Sequence, residues 1–367
     1  MNLGFFTMPI HPIDKDWRKC LHEDREAFIL ADQLGFTEGY CGEHTTDAAE
    51  NISSCVVFMA SLVGHVKNMR LGTGTVNMPN THPARVAAEV AMLDHMLDGK
   101  FNFGISPGGL PSDAEVFGTL DNDRLEMFVE GIDQVLEIWR SEPPYNIRGK
   151  YWNITTERTM IPEIGQGVLP KPLQRPHPPI IGTVVAPFSK GVTLAAKRGW
   201  DPISANFLLP QWVASHWPMY ADGCKQGGRP ALRANWRVAK SIFIADDEAT
   251  AKEYATGAKS PYRFYFNQLV TKMKKAGRGE LFKRDRSEPD DVVTTQRALD
   301  DCVIYGTPSQ VVDKLEAFRD QVGDFGTLLY AGHDWADVDL ARRSMVLLAE
   351  KVQPKLRPLM EMPQAAE

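Results

Sequence analysis

Short apolar runs alternate with longer stretches of helical spacing along almost the whole chain. Residues 3–7 read as a first strand. Residues 18–34 follow with Leu21, Phe28, Ala31 and Leu34 at helical intervals and Gly35 as the stop. Residues 37–41 form a second strand, and Asn51 and Ser53 open a helix through Val63. Residues 69–76 make the third strand, and 84–97 a helix halted by Asp98-Gly99. Residues 100–106 are the fourth strand; 124–139 form an amphipathic helix with Phe128, Ile132, Val135 and Trp139 on one face. Strands at 180–185, 202–205, 238–245 and 325–331 complete a set of eight. Helices fall at 188–198, 211–224, from Asp246 onward, and at 308–318.

Eight strands separated by helices fit an α/β fold of the (β/α)8 TIM-barrel type with insertions; the rival is an open doubly wound sheet. No strand leads into GxGxxG. Gly72-Thr73-Gly74-Thr75 runs on into Val76-Asn77-Met78-Pro79, which cannot open a helix there, and this favours the barrel. The expectation is one domain over 1–367, with excursions near 141–178, dense in Pro and Gly, and near 271–300, where a basic run reads as a solvated insertion.

At 43% hydrophobic and 24% charged residues, composition is globular throughout. The net charge of −6 and scattered basic residues argue against nucleic acid as a partner. Five widely spaced cysteines without a CxxC suggest reduced thiols. No apolar window suits a signal peptide or a membrane span, so a soluble, cytoplasmic protein is expected, with no membrane partner.

In a barrel, side chains at the carboxyl ends of strands carry the chemistry. Here these are His11, Glu43, His44, Asn77, His82, Gly108, Gly109, Asn206, His333 and Asp334. Strands five and six end in Val184-Val185 and Ser204-Ala205-Asn206, without imidazole or carboxylate, so no metal is expected. A neutral His beside a carboxylate can pass a proton near neutral pH, which makes His44, with Glu43, the catalytic candidate. The same pair could equally be a buried ion pair that pins a loop. His11-Pro12 and His82-Pro83 read as helix starts, with Pro in the first turn.

Two loops suit a planar anionic cofactor. Ser106-Pro107-Gly108-Gly109-Leu110 brings backbone amides close to a ring. Ala186-Pro187-Phe188-Ser189-Lys190-Gly191 joins a helix start to a hydroxyl and a lysine, a setting for phosphate. Each is also ordinary turn chemistry.

The chain resembles the bacterial luciferase-like flavin-dependent monooxygenases, the group that includes limonene-type and diketocamphane-type enzymes. The resemblance runs through Gly35-Phe36 to Glu43-His44, Leu71-Gly72-Thr73-Gly74-Thr75 to His82-Pro83, and Asp98-Gly99-Lys100-Phe101-Asn102-Phe103-Gly104. It continues through residues 170–180, Gly306-Thr307-Pro308-Ser309 and Glu350-Lys351-Val352-Gln353-Pro354. It implies a two-component oxidoreductase that takes reduced FMN from a separate NAD(P)H-dependent flavin reductase and uses O2 to oxygenate a small, largely apolar or aromatic organic substrate.

By position, the resemblance makes His44 the catalytic histidine and Gly74-Thr75 a non-prolyl cis peptide beneath the isoalloxazine. Asn77, Ser106, Gly108 and Gly109 join them as cofactor contacts, and Val185, Ala186 and Ser189 match the phosphate turn. Phe6, Met8, Leu110, Phe207, Tyr330, His333 and Trp335 are left for the substrate pocket. A homodimer is also implied. One departure is Pro107, where luciferase has an arginine; Lys190 or backbone amides would replace that cation. Alternatives are a deazaflavin-dependent hydride-transfer enzyme of the same fold, a non-catalytic flavin-binding protein and a metal hydrolase.

Overall fold

All eight apolar runs become parallel barrel strands in the computed structural model, which describes residues 1–359; the last eight positions of the expected 1–367 domain lie outside the described residues. In chain order the strands are β1 (Asn2–Thr7), β2 (Glu38–Cys41), β3 (Arg70–Thr73), β4 (Val76–Asn77) and β5 (Phe101–Ser106). After them come β6 (Asn146–Arg148), β7 (Asn153–Thr155), β8 (Ile180–Val184), β9 (Asp201–Ser204), β10 (Arg237–Ile244), β11 (Val303–Gly306) and β12 (Thr327–Ala331). The sheet runs β10-β12-β1-β2-β3-β5-β8-β9, and pairing of β9 with β10 closes it into an eight-stranded ring. That closure gives the (β/α)8 TIM barrel.

Two details of the main sheet differ from the expected elements. The third run is interrupted: Gly74 and Thr75 separate β3 from β4, which pairs on its own with the end of β5. Strand β11 is additional. It pairs with the second half of β10, from Ser241↔Val303 to Ile244↔Gly306, whereas the first half of β10 serves the ring.

The chain forms two compact units. One comprises Met1–Gly39, Val66–Met69 and the chain from Gly182 onward. There Phe5 of β1 meets Phe28 of the helix Trp17–Gln33 edge to face at 4.9 Å. Asp32, near that helix's end, accepts the backbone N–H groups of Lys67, Asn68 and Met69. Glu38 takes the Arg237 Nε–H between its two carboxylate oxygens, at 2.9 Å each, with both side chains largely out of water. Glu38→Ala would remove the carboxylate that balances this guanidinium and leave it only neutral partners such as the Asn235 carbonyl, and we expect a loss of about 3 kcal/mol in urea unfolding. The helix expected over 211–224 is two, Pro210–Ala214 and His216–Gln226, parted at Ser215.

The basic run is not simply a solvated insertion. Leu281 and Phe282 are buried, and Trp212 Nε1 donates to the Lys283 carbonyl at 3.2 Å. Lys283 is itself buried, its Nζ 2.7 Å from Asp290, so apolar anchoring outweighs the local positive charge.

The other unit comprises Tyr40–His65 and Arg70–Ile181. Its Pro-rich excursion holds the antiparallel β6–β7 hairpin, and Glu130 accepts the N–H groups of Lys150, Tyr151 and Trp152 in the connecting loop. Beside β3, Thr73 Oγ donates to the Gly104 carbonyl and accepts the Gly104 N–H, both at 2.8 Å. A Cβ on Gly104 would lie 1.8 Å from the Thr73 carbonyl oxygen, so only glycine fits. No helix among the described residues is long and apolar enough to cross a membrane. All five cysteines are buried and unbridged.

Candidate active site

Strand β2 ends at Cys41 and delivers Glu43 and His44 within the second unit. His44 Nδ1 lies 2.9 Å from Asp113 Oδ2, and Nε2 lies 3.7 Å from Glu50 Oε2. Asp113 stands in the first turn of the helix Pro111–Val116, and its second oxygen accepts from Thr45 N, Thr46 N and Thr46 Oγ. Burial would raise the Asp113 carboxyl, but hydrogen bonds from His44 and Thr46 outweigh it and hold it below its ordinary range. An ionised Asp113 accepts from Nδ1–H, which fixes the ring and its tautomer.

Glu43 faces elsewhere. Its carboxylate accepts from Cys55 N and Cys55 Sγ, both at 3.0 Å, and from Asn77 N at 2.9 Å. Burial pushes this carboxyl up, against the hydrogen bonds from Asn77 and Cys55 that favour its charged form.

Asn77 also donates Nδ2–H to the Glu43 carbonyl at 3.0 Å and accepts from Ser106 Oγ at 2.9 Å. Ser106 Oγ in turn accepts from Thr75 Oγ at 2.7 Å and from Gly108 N at 3.1 Å. Thr75, Asn77, Ser106 and Gly108, four of the expected cofactor contacts, thus form one hydrogen-bonded chain that reaches the residue before His44. The Gly74–Thr75 peptide is cis and non-prolyl, and Gly74 N donates to the Cys41 carbonyl. Gly109 is exposed, with nothing within 4 Å of where a Cβ would stand.

Arg124 opens the helix Arg124–Arg140. Its Nη2 donates to the Pro107 carbonyl and its Nη1 to Thr119 Oγ, both at 2.8 Å. Gly108, at φ 75°, makes room for it: a Cβ there would be 2.4 Å from Arg124 Nη2. A cation therefore underlies the loop that carries Pro107. Leu110, half-buried, caps the helix Pro111–Val116 without a side-chain hydrogen bond.

The remaining expected residues belong to the first unit. Phe6, Phe207 and Tyr330 are buried; Met8, His333 and Trp335 are half-buried. His333 Nε2 lies 3.0 Å from Ser241 Oγ, between the rings of Tyr262 and Tyr265, and burial pushes its pKa down to about 3. It is a neutral imidazole. Val185 follows β8 directly, Ala186 is exposed, and Ser189 is the N-cap of the helix Lys190–Lys197.

The two His-Pro pairs separate. His82 does cap the helix Pro83–Met96, accepting from Ala84 N. His11 starts no helix; it sits in a buried cluster, with Nδ1 2.5 Å from Asp334 and Nε2 3.3 Å from Asp24. His11, Glu23 and Asp334 come close enough to share an ion, but Lys15 Nζ already lies 2.7 Å from Glu23 and 2.6 Å from Asp334.

Burial opposes the charge on His11, yet Asp24 and Asp334 raise its pKa from 6.5 to about 9. A raised folded-state pKa adds stability in full below 6.5 and loses it as pH climbs through about 9. The gap in Tm between the wild type and His11→Gln should therefore narrow across that window, as read by calorimetry.

A family profile described as luciferase-like monooxygenase matches residues 1–324. The chain is 28% identical to 4-hydroxyprotoasukamycin monooxygenase of Streptomyces nodosus subsp. asukaensis, over 97% of this chain and 92% of that one. It is 26% identical to limonene 1,2-monooxygenase of Rhodococcus erythropolis, over 96% and 86%. Among solved structures, the oxygenating constituent of 3,6-diketocamphane monooxygenase from Pseudomonas putida, a type II Baeyer-Villiger enzyme in complex with FMN, superposes with a TM-score of 0.88. That match has 23% identity and covers 98% and 99% of the two chains. The chain belongs to the luciferase-like monooxygenase family.

Proposed function

We propose that this protein is the oxygenase of a two-component system: it binds reduced FMN from a separate NAD(P)H-dependent reductase and uses O2 to oxygenate a small, largely apolar or aromatic substrate. The observation that carries this reading is the link from His44–Asp113 through Glu43 and Asn77 to Ser106 and Thr75. It joins a braced proton-handling imidazole to a polar edge in one compact unit.

The residues suit the cofactor. Open space at Gly109 and the hydroxyls of Thr75 and Ser106 offer a flat ring polar contacts, and Arg124 adds positive charge under the same loop. When bound, reduced FMN supplies the electrons and the ring that activates oxygen. The chain's own tasks are then separable. Asp113 holds Nδ1–H of His44, and His44 Nε2 gives or takes the proton. Glu43 positions the β2 loop through Cys55 and Asn77; it touches the reaction only through its neighbour.

In the first unit we assign the turn at Val185, Ala186 and Ser189 to an anionic group of the cofactor, by virtue of the uncapped helix start at Lys190. The apolar side chains of Phe6, Phe207 and Tyr330 suit a substrate with little polar surface. The comparison with an "oxygenating constituent" supports the division into oxygenase and reductase, as does the lack of a nicotinamide fingerprint in the sequence. A single catalytic domain, a homodimer and a cytoplasmic setting belong to the same proposal.

The test is a reconstitution with FMN, NADH and an unrelated flavin reductase under 18O2, offering limonene and 3,6-diketocamphane as probes. Label should appear in an organic product only when the protein is present. Flavin turnover with no protein-dependent label in either probe, together with no affinity for reduced FMN, would sink the reading.

A further inference from the structure

Ser215 and His216 lie against the Ala186–Ser189 turn from inside the first unit. Phe188 stands in the left-handed region at φ 53°, and its N–H donates to Ser215 Oγ at 3.0 Å. The Ser215 hydroxyl proton is committed to the Trp212 carbonyl at 2.6 Å, so its lone pairs are what meet Phe188. This contact holds Phe188 in a conformation that a bulky residue seldom adopts.

His216 is fully buried. Its Nδ1 lies 2.8 Å from Ser204 Oγ, which accepts from Trp236 Nε1 at 2.9 Å. An indole N–H can only donate, so it takes one Ser204 lone pair and leaves the hydroxyl proton available to His216 Nδ1. In that arrangement the imidazole proton lies on Nε2, beside the backbone of Ala186 and without a hydrogen-bond partner. Burial keeps this ring neutral, with its pKa lowered to about 4.

Ser215 therefore holds the Phe188 end of the turn, and the buried His216 ring backs its Ala186 end. Ser189, the next residue, caps nothing with its side chain, and the helix Lys190–Lys197 begins without a side-chain cap. The hydroxyl and the first-turn N–H groups are a donor set whose aim depends on the path of Ala186 to Phe188.

We propose that Ser215 and His216 are positioning residues that shape the Ala186–Ser189 turn to receive a phosphate monoester. The inference rests on the reading of that turn as the anion contact for FMN. It adds a selectivity: the same pair should matter for a phosphorylated flavin and not for one that lacks phosphate.

The experiment is anaerobic titration of wild type, Ser189→Ala, Ser215→Ala and His216→Phe with reduced FMN and with reduced riboflavin. Wild type should prefer FMN. Ser215→Ala and His216→Phe should each weaken FMN binding by about tenfold, the scale of one charge-assisted hydrogen bond set out of line, while riboflavin changes by less than about twofold. Because the readout is a ratio between two flavins, a general loss of stability leaves it unmoved.

If both variants keep the wild-type ratio while Ser189→Ala lowers it, the phosphate reading stands and the positioning role falls. Equal weakening of both flavins by the two variants also overturns the role. A wild type that does not distinguish the flavins removes the phosphate reading and the inference with it.

Discussion

Replacing His44 by Ala should lower oxygenation by about 10²- to 10⁴-fold, the range for losing a positioned acid or base, with binding of reduced FMN nearly intact. Proton transfer and flavin affinity separate here because His44 is braced by Asp113, whereas the polar chain of Thr75, Ser106 and Asn77 holds together without it. The measurement is single-turnover product yield beside an anaerobic flavin titration. Added imidazole should restore part of the lost rate, which a purely structural histidine would not show. Asp113→Asn should lower the rate as well, since an amide no longer supplies the negative charge that fixes Nδ1–H. Turnover equal to wild type in His44→Ala would remove this residue from the mechanism.

The largest effect on folding is expected at Gly104. A methyl group there meets the Thr73 carbonyl oxygen at 1.8 Å, and the contact is with backbone, so no rotamer change relieves it. Overpacking usually costs about 1–3 kcal/mol. With β3 and β5 forced apart, Gly104→Ala should reach or exceed the top of that range, seen as a lower urea midpoint. Flavin affinity should fall in parallel, since Thr75 and Ser106 lie just beyond this contact on the same two chain segments. Gly109→Ala is the matched control: with nothing within 4 Å of the added Cβ, it should stay within about 0.5 kcal/mol of wild type. Equal stability of the two variants would contradict the assignment of Gly104 as a packing constraint.

The fold was legible because each barrel strand is a short apolar run bounded by helical spacing, and that alternation leaves few architectures to choose from. What escaped has physical reasons. Strand β11 is four residues directly after the helix Thr295–Cys302, too short for any period to show. The break between β3 and β4 is a backbone feature with no hydrophobic signature; only the family resemblance pointed to Gly74–Thr75. In the centre of the basic run the charge pattern hides two apolar anchors, Leu281 and Phe282, buried between the lysines.

At the site, His44 was visible from its place just past a strand. Asp113 was not, although Pro111 at a helix start with an acid two residues on is a usable signal. Nothing local joins positions 44 and 113; the ring of strands does. Arg124 has the same character. Its role comes from the space left by Gly108, and a glycine in a loop reports permission for a close approach without naming what approaches.

A crystal structure of the protein soaked with FMN tests the central claim most directly. The account predicts the isoalloxazine against Gly74–Thr75, within hydrogen-bond reach of the chain formed by Thr75, Ser106 and Asn77, with His44 Nε2 turned towards the ring. A flavin bound away from all four of these residues, with His44 facing only protein, would contradict it.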